Sequence, residues 1–186
     1  MKKVILSVVM LFMAVSMFAQ EQETKVRIPS GYQGFLEYGN TWHVFDKEMP
    51  NTINLSTTHG FYFSQHIYAG IGIGVDFNSD RALVPIYANM RYVFINNKTV
   101  SPVLSLRLGS FMSSKMGAYG DLAFGVRFAS KKDFALSVLI AGTYYDKITD
   151  DYWVDGYDEN GVYNYGYYTT RQFNPSGVSL RIGIEW

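Results

Sequence analysis

Three histidines, His43, His59 and His66, are the side chains of this sequence best suited to act as a general base. A hydrolase or an acyltransferase using one of them would hold it within hydrogen-bonding distance of a serine, with an acid to orient it. No histidine is followed two positions later by serine. The three also stand apart in the chain, which disfavours a metal cluster. We therefore expect no catalytic residue, no metal and no cofactor, and interpret the histidines as structural.

Eight charged side chains form a second set that could line a site. They share the polar side of alternating segments: Glu37, Asp76, Arg91, Arg107, Asp121, Arg127, Arg181 and Glu185. In a narrow interior these acids and arginines should pair, because an unpaired buried charge is costly, and the planar arginine fork suits carboxylates. Two interpretations remain, the lining of a charged channel and a salt-bridged plug. If the alternating segments described below are eight strands that close into a barrel, the interior is just wide enough for side chains, which favours the plug.

The stretch 148–170 is the most aromatic part of the chain. Asn160-Gly161 predicts a tight turn between two arms. Seven aromatic residues lie on these arms: Tyr152, Trp153, Tyr157, Tyr163, Tyr165, Tyr167 and Tyr168. Rigid rings beside Asp, Asn and Gly are typical of recognition surfaces, so we expect a surface for a glycan or a protein. The alternative is a solvated hairpin that shields the barrel mouth. A calcium loop is disfavoured, because Trp153 and Val162 stand where oxygen ligands belong.

Alternating strands are the elements that must position these groups. The clearest one is formed by the final ten residues, in which small or charged residues separate five apolar ones: Val178, Leu180, Ile182, Ile184 and Trp186. Successive side chains of a strand point to opposite faces, so this strand has one apolar and one polar face. The segment resembles the closing strand of outer-membrane β-barrels, and this resemblance implies that the five residues act as a signal for assembly into a membrane.

Seven further stretches alternate in the same way. With the last one, the predicted strands are 31–44, 52–65, 66–78, 82–95, 100–112, 117–129, 134–147 and 171–186. Eight is an even number, so both chain ends should lie on the same side of a barrel, which we expect to be the periplasmic side. The longest connector, 148–170, then falls on the outer side, while the turns on the inner side are tight. Aromatic residues cluster near both predicted rims, as in membrane barrels.

Strict alternation places His59 on the lipid-facing side of its strand, where a polar group is costly. Two devices would relieve this cost: a hydrogen bond to Thr57, or a bulge that rotates the ring inward. A soluble β-sandwich also has alternating strands. It does not explain apolar positions on nearly every strand together with an aromatic final residue, and we therefore predict a barrel.

Composition supports export and one domain. The chain has 186 residues, no cysteine and a formal net charge of zero, so no nucleic-acid surface is indicated. Two lysines precede an apolar run that ends near Ala19, which predicts a secretory signal peptide over 1–19. The run is too short to favour a membrane anchor. A polar periplasmic lead-in over 20–30 and a barrel over 31–186 complete the predicted organisation.

Three segments carry a family resemblance: Tyr68–Gly74, Val84–Tyr92 and Val178–Trp186. Through them the chain resembles the small outer-membrane barrels of the OmpA/OmpX-like (porin-like) superfamily. The resemblance implies an all-β fold, a single eight-stranded antiparallel transmembrane barrel with up-and-down topology, in the outer membrane of a Gram-negative bacterium. It also implies outer-membrane lipids, lipopolysaccharide and the barrel assembly machinery as partners.

The function that we expect is non-enzymatic, a structural or surface-interaction role exerted through 148–170. Two alternatives remain. Some barrels of this size are lipid A acyltransferases or deacylases, which would need a histidine near the outer rim. A narrow channel for small solutes or ions is the other.

Overall fold

The structure is a computed structural model that describes residues 31–44, 49–79, 81–94, 99–112, 117–129, 134–146, 148–157 and 163–186. Within these ranges, the side chains of residues 150–157, 163–171 and 173 are not described. The predicted signal peptide, the lead-in and the Asn160-Gly161 turn therefore lie outside the described residues.

Eleven strands make up the described part of the chain. They are β1 (Gly31–Trp42), β2 (Thr52–Tyr62), β3 (Ile67–Phe77), β4 (Ala82–Leu83), β5 (Pro85–Val93), β6 (Val100–Phe111), β7 (Ala118–Ala129), β8 (Ala135–Tyr145), β9 (Ile148–Tyr157), β10 (Tyr163–Phe173) and β11 (Ser176–Glu185). No helix within the described ranges has the length and apolarity needed to cross a membrane.

Nine of these strands form one closed antiparallel sheet. Its order is β2-β1-β11-β8-β7-β6-β5-β3-β4, and a further pairing of β2 with β3 closes it. Because β4 and β5 both pair with β3, they form one interrupted strand of the barrel. The barrel therefore has eight strands in this sense, and we call each of them a stave. The closing seam joins β1 to β11 from Phe35↔Glu185 to Trp42↔Val178. The predicted eight-stranded antiparallel barrel is confirmed.

Two prolines account for the main departures from the predicted strands. The predicted strand 82–95 is split at Val84, before Pro85, which has no N–H to donate to a sheet. The predicted final strand begins at Ser176 rather than Arg171, since Pro175 separates β10 from β11. The residues from Arg171 to Phe173 belong instead to β10, which pairs with β9 in a separate two-stranded sheet.

The barrel therefore has two distinguishable ends. At the terminal end, β1 begins beside the end of β11. At the hairpin end, β9 and β10 extend beyond the barrel as a ribbon that starts with the pair Ile148↔Phe173. Both chain ends of the barrel lie at the terminal end, as an even number of staves requires.

Side chains alternate between the two faces of each stave. On β5, for example, every second residue is buried and those between are exposed. The outward residues are mostly apolar, and Ile71 and Met90 expose 72% and 56% of their surfaces. An apolar wall around the whole barrel is the surface that lipid covers in membrane barrels.

The inward side chains form two buried apolar clusters. One lies toward the terminal end and includes Phe35, Tyr62 and Tyr68. The other closes the hairpin end, where Met49 and Ile148 join a group of aromatic rings: Tyr87, Phe111, Tyr119 and Tyr145. The charged side chains lie on the same inward face as these clusters.

Replacing Gly72 with alanine should destabilise the barrel, because Gly72 is paired with Tyr87 and leaves room for its ring. A Cβ atom at Gly72 would lie 2.5 Å from Tyr87 Cε2 and 2.8 Å from the Thr57 carbonyl oxygen. We expect the free energy of unfolding to fall by about 1–3 kcal/mol, the usual cost of overpacking. Urea unfolding of the protein inserted in lipid vesicles measures it. Gly142→Ala is the matched control, since nothing lies within 4 Å of a Cβ atom there. Equal stability of the two variants would contradict this packing.

Candidate functional site in the barrel interior

Six strands bring the eight predicted charges into the interior. Glu37 lies on β1, Asp76 on β3, Arg91 on β5, Arg107 on β6, Asp121 and Arg127 on β7, and Arg181 and Glu185 on β11. Each of these residues exposes at most 5% of its surface. All eight charged side chains therefore lie on the inward face of their strands, opposite to the apolar outer wall.

Glu37 is the centre of the charge network. Its Oε2 atom accepts a hydrogen bond of 2.6 Å from Arg91 Nη2 and a second one from Arg107 Nη2. In the order of staves, β6 lies directly opposite β1, so the contact with Arg107 crosses the full diameter. The Arg91 guanidinium also lies 3.9 Å from the centre of the Phe35 ring, and that of Arg107 lies 4.8 Å from the Tyr87 ring. These rings hold the planar cations in place while they share one carboxylate.

Two further ion pairs connect β7 with β11. Arg127 donates twice to Glu185, from Nε to Oε2 at 2.6 Å and from Nη2 to Oε1 at 2.9 Å. Arg181 Nη2 donates to Asp121 Oδ1 at 2.7 Å. The bidentate geometry of the first pair is the strongest form of an arginine–carboxylate contact. Both pairs span the intervening stave β8.

Asp76 has a different kind of partner. Its Oδ2 atom accepts a hydrogen bond of 3.0 Å from the Tyr145 hydroxyl, and β3 and β8 are opposite staves. Four acids and four arginines thus do not form four separate pairs, because Glu37 engages two arginines. Arginine partners are found for Glu37, Asp121 and Glu185. A partner found for Asp76 is a tyrosine, which the sequence did not predict.

Two glycines make room for the charged side chains along the seam between β1 and β11. Gly183 is paired with Glu37, and Gly39 is paired with Arg181. A Cβ atom at Gly183 would lie 2.6 Å from Glu37 Cγ, and one at Gly39 would lie 2.6 Å from Arg181 Cγ. The side chains of Glu37 and Arg181 can therefore lie against the neighbouring strand as they reach into the lumen.

Little free volume remains beside this network. A cavity bordered by Ser56, Asp76, Arg107, Asp121 and Arg181 leaves about 10 Å³ for the centre of a water molecule. This cavity is therefore large enough to hold water. Around the charge network, the described interior is thus filled by its own side chains. The buried cluster of aromatic rings with Met49 and Ile148, here called the hairpin-end cluster, closes the interior at the hairpin end.

The three histidines lie in three different environments. His43 is inside, near the hairpin end, with Nε2 2.9 Å from Thr52 Oγ1 and its ring beside Tyr145. His66 donates from Nδ1 to the Val93 carbonyl oxygen at 2.6 Å. His59 is on the outer wall near the terminal end, where its ring nitrogens are hydrogen-bonded to Thr57 and Tyr32, and its strand has no bulge. Among the described residues, no three acidic or histidine side chains converge as metal ligands would.

The predicted assembly residues face outward from β11. Val178, Leu180, Ile182 and Trp186 expose 37–49% of their surfaces, and Ile184 shares their face of the strand. Trp186 is also held by the first strand, because its backbone exchanges two hydrogen bonds with Gly34, of 2.9 and 3.1 Å. A Cβ atom at Gly34 would lie 2.8 Å from the indole ring, so this glycine leaves room for Trp186.

The backbone of the predicted recognition stretch is an antiparallel ribbon. Its register runs from Phe173↔Ile148 through Tyr168↔Trp153 to Tyr163↔Tyr157, with a shift between Asn164 and Tyr167. The side chains of the seven predicted recognition residues lie outside the described part of the chain, so their role stays a prediction.

Comparison with known proteins supports the fold. No family model and no curated protein matches the chain. The crystal structure of Neisserial surface protein A is similar, with a TM-score of 0.50 and 14% identity over 83% of this chain and 94% of that chain. The fold is that of an outer-membrane-type β-barrel. A designed transmembrane β-barrel also matches, with a TM-score of 0.46 and 13% identity over 89% of this chain and 100% of that chain.

Glu37→Gln should be the most destabilising neutral replacement among the interior acids. It leaves two buried arginines without a countercharge, whereas Glu185→Gln leaves only Arg127. Breaking a buried pair commonly costs about 3–5 kcal/mol, and we expect the Glu37 variant to reach or exceed this range. Urea unfolding of both variants in lipid vesicles measures the difference. A Glu37 variant no less stable than the Glu185 variant would show that Glu37 is not the centre of the network.

Proposed function

We propose that this protein is a non-enzymatic barrel of a Gram-negative outer membrane, related to the OmpA/OmpX-like superfamily, with a structural or surface-interaction role. The observation that carries the proposal is the filled interior, in which cross-lumen ion pairs leave a cavity with about 10 Å³ for the centres of water molecules. A barrel whose lumen is occupied acts through its wall and through the segments that project from it. Outer-membrane lipids, lipopolysaccharide and the barrel assembly machinery are the corresponding partners, the last of these binding the alternating β11.

The β9–β10 ribbon is the surface that we propose for interaction with a glycan or a protein. It is ten to eleven residues long on each arm, or roughly 30 Å at the usual rise per residue. The ribbon is anchored to the barrel, because Ile148, its first residue, is fully buried in the hairpin-end cluster. An anchored ribbon loses less conformational entropy on binding than a free loop of the same composition.

The filled lumen predicts that the purified protein forms no large, stable pore. Planar-bilayer recordings should therefore show no porin-scale conductance, since passage of a solute would require several buried ion pairs to separate. A designed or natural barrel of known conductance, inserted from the same detergent, serves as the control for insertion. Reproducible large conductance from folded protein would contradict a plugged interior.

Excision of the ribbon should separate folding from binding. Replacing residues 151–167 with a short Asn-Gly turn removes most of the aromatic arms. It retains the cross-strand pair Ile148↔Phe173 at the foot of the ribbon. We expect the barrel to fold normally, because its own register is set by the eight staves, and we expect binding to an extracellular glycan array to disappear. The control variant replaces residues 113–116, which connect β6 to β7 in the sequence. Glycan binding that survives in the ribbon-deleted protein would refute the assignment.

A further inference from the structure

A hydrogen-bonded group of three polar side chains lies on the outer wall near the terminal end. We name Tyr32, Thr57 and His59 the outer triad. The Tyr32 hydroxyl lies 2.6 Å from His59 Nδ1, and Thr57 Oγ1 lies 2.9 Å from His59 Nε2. The Tyr32 and His59 rings are stacked, with centroids 6.0 Å apart and planes at 18°. The histidine is thereby fixed in orientation on the face of the barrel that contacts lipid.

Aromatic side chains surround the outer triad on the barrel wall. His59 is paired with Gly34, which exchanges backbone hydrogen bonds with Trp186. The Trp186 ring meets the His59 ring edge-on at 6.2 Å, and Phe61 packs against Tyr32. Tryptophan and tyrosine collect where the hydrocarbon of a membrane meets its headgroups. Such surroundings are typical of the depth where lipid ester and phosphate oxygens are found.

The hydrogen-bond inventory of the triad leaves a donor for an external group. A neutral imidazole has one N–H, and the two hydroxyls add two hydrogens. The two contacts within the triad use two of these three hydrogens, so one hydroxyl hydrogen remains. A protonated imidazole donates from both nitrogens, and both hydroxyl hydrogens then remain. In either state the triad can donate outward, and Tyr32 is 55% exposed.

We propose that the outer triad binds the phosphate group of a membrane phospholipid. An acceptor is required, because a hydroxyl that faces lipid without a partner is costly. A phosphate suits the site better than a neutral ester carbonyl, since hydrogen bonds to an ionised acceptor are stronger than those to a neutral one. The other described outward neighbours of His59 bear no acid that would repel an anion: Gly34, Leu36, Phe61, Ala69, Ile71 and Ile73.

A lipid titration with matched variants tests this site. The full chain is purified in a maltoside detergent, which has no phosphate, and phosphatidylglycerol binding is measured by native mass spectrometry. Tyr32→Phe combined with Thr57→Val removes both hydroxyls and retains the shapes of the side chains. We expect affinity to fall roughly tenfold, equivalent to about 1.4 kcal/mol, as the loss of one or two hydrogen bonds implies. Tyr38→Phe is the control, because Tyr38 is an outward tyrosine on the same strand with 52% exposure.

Two comparisons decide the assignment. Unfolding in urea verifies that both variants are folded, and Tyr32→Phe alone, which retains the ring stack, should show an intermediate loss. The diether analogue of phosphatidylglycerol retains the phosphate and lacks the ester carbonyls, so it should bind as well as the diester lipid. Equal binding by the double variant and the control would overturn the proposal. Loss of binding by the diether lipid would overturn it as well, because the acceptor would then be an ester carbonyl.

Discussion

The shared carboxylate of Glu37 is the interaction on which the interior of this barrel depends. One acid on β1 accepts hydrogen bonds from arginines on β5 and β6, across the lumen. Both arginines are buried, so their charges would be costly without this countercharge. The contact therefore couples opposite walls of the barrel, which backbone hydrogen bonds connect only around the circumference. Gly183, which is paired with Glu37 on the neighbouring strand β11, is part of the same arrangement. A side chain at Gly183 would occupy the space that the Glu37 side chain fills.

A filled interior limits where function can reside. The ion pairs occupy the middle of the lumen, and aromatic residues close the hairpin end. Under the proposed function, interactions with other molecules would be made by the outer wall and by the β9–β10 ribbon. These two surfaces differ in chemistry: the wall is apolar apart from groups such as the outer triad, and the ribbon is rich in tyrosine and acids.

Alternation made most of the barrel predictable, because a period of two is a local property that assigns each residue to a face. It placed Glu37 and Arg107 inside and His59 outside. It could not pair them, since contacts across the lumen depend on the stagger of eight closed strands, which no single segment encodes. The contact of Tyr32 with His59 depends instead on the register between the neighbouring strands β1 and β2, whereas Thr57 lies two residues from His59 on one strand and could be named from the sequence. The interruption before Pro85 was not predicted, since 82–95 was expected to be one strand, although the missing N–H group of Pro85 was a signal for it.

A double-mutant cycle between Glu37 and Arg107 tests the central claim most directly. Folding free energies in lipid vesicles would be measured for the parent protein, Glu37→Gln, Arg107→Met and the double variant. If the carboxylate holds the two walls together, the effects will be strongly non-additive, with a coupling of about 1.5 kcal/mol or more, as for close buried charge pairs. Additive effects, within about 0.5 kcal/mol, would contradict the claim that this cross-lumen pair organises the barrel.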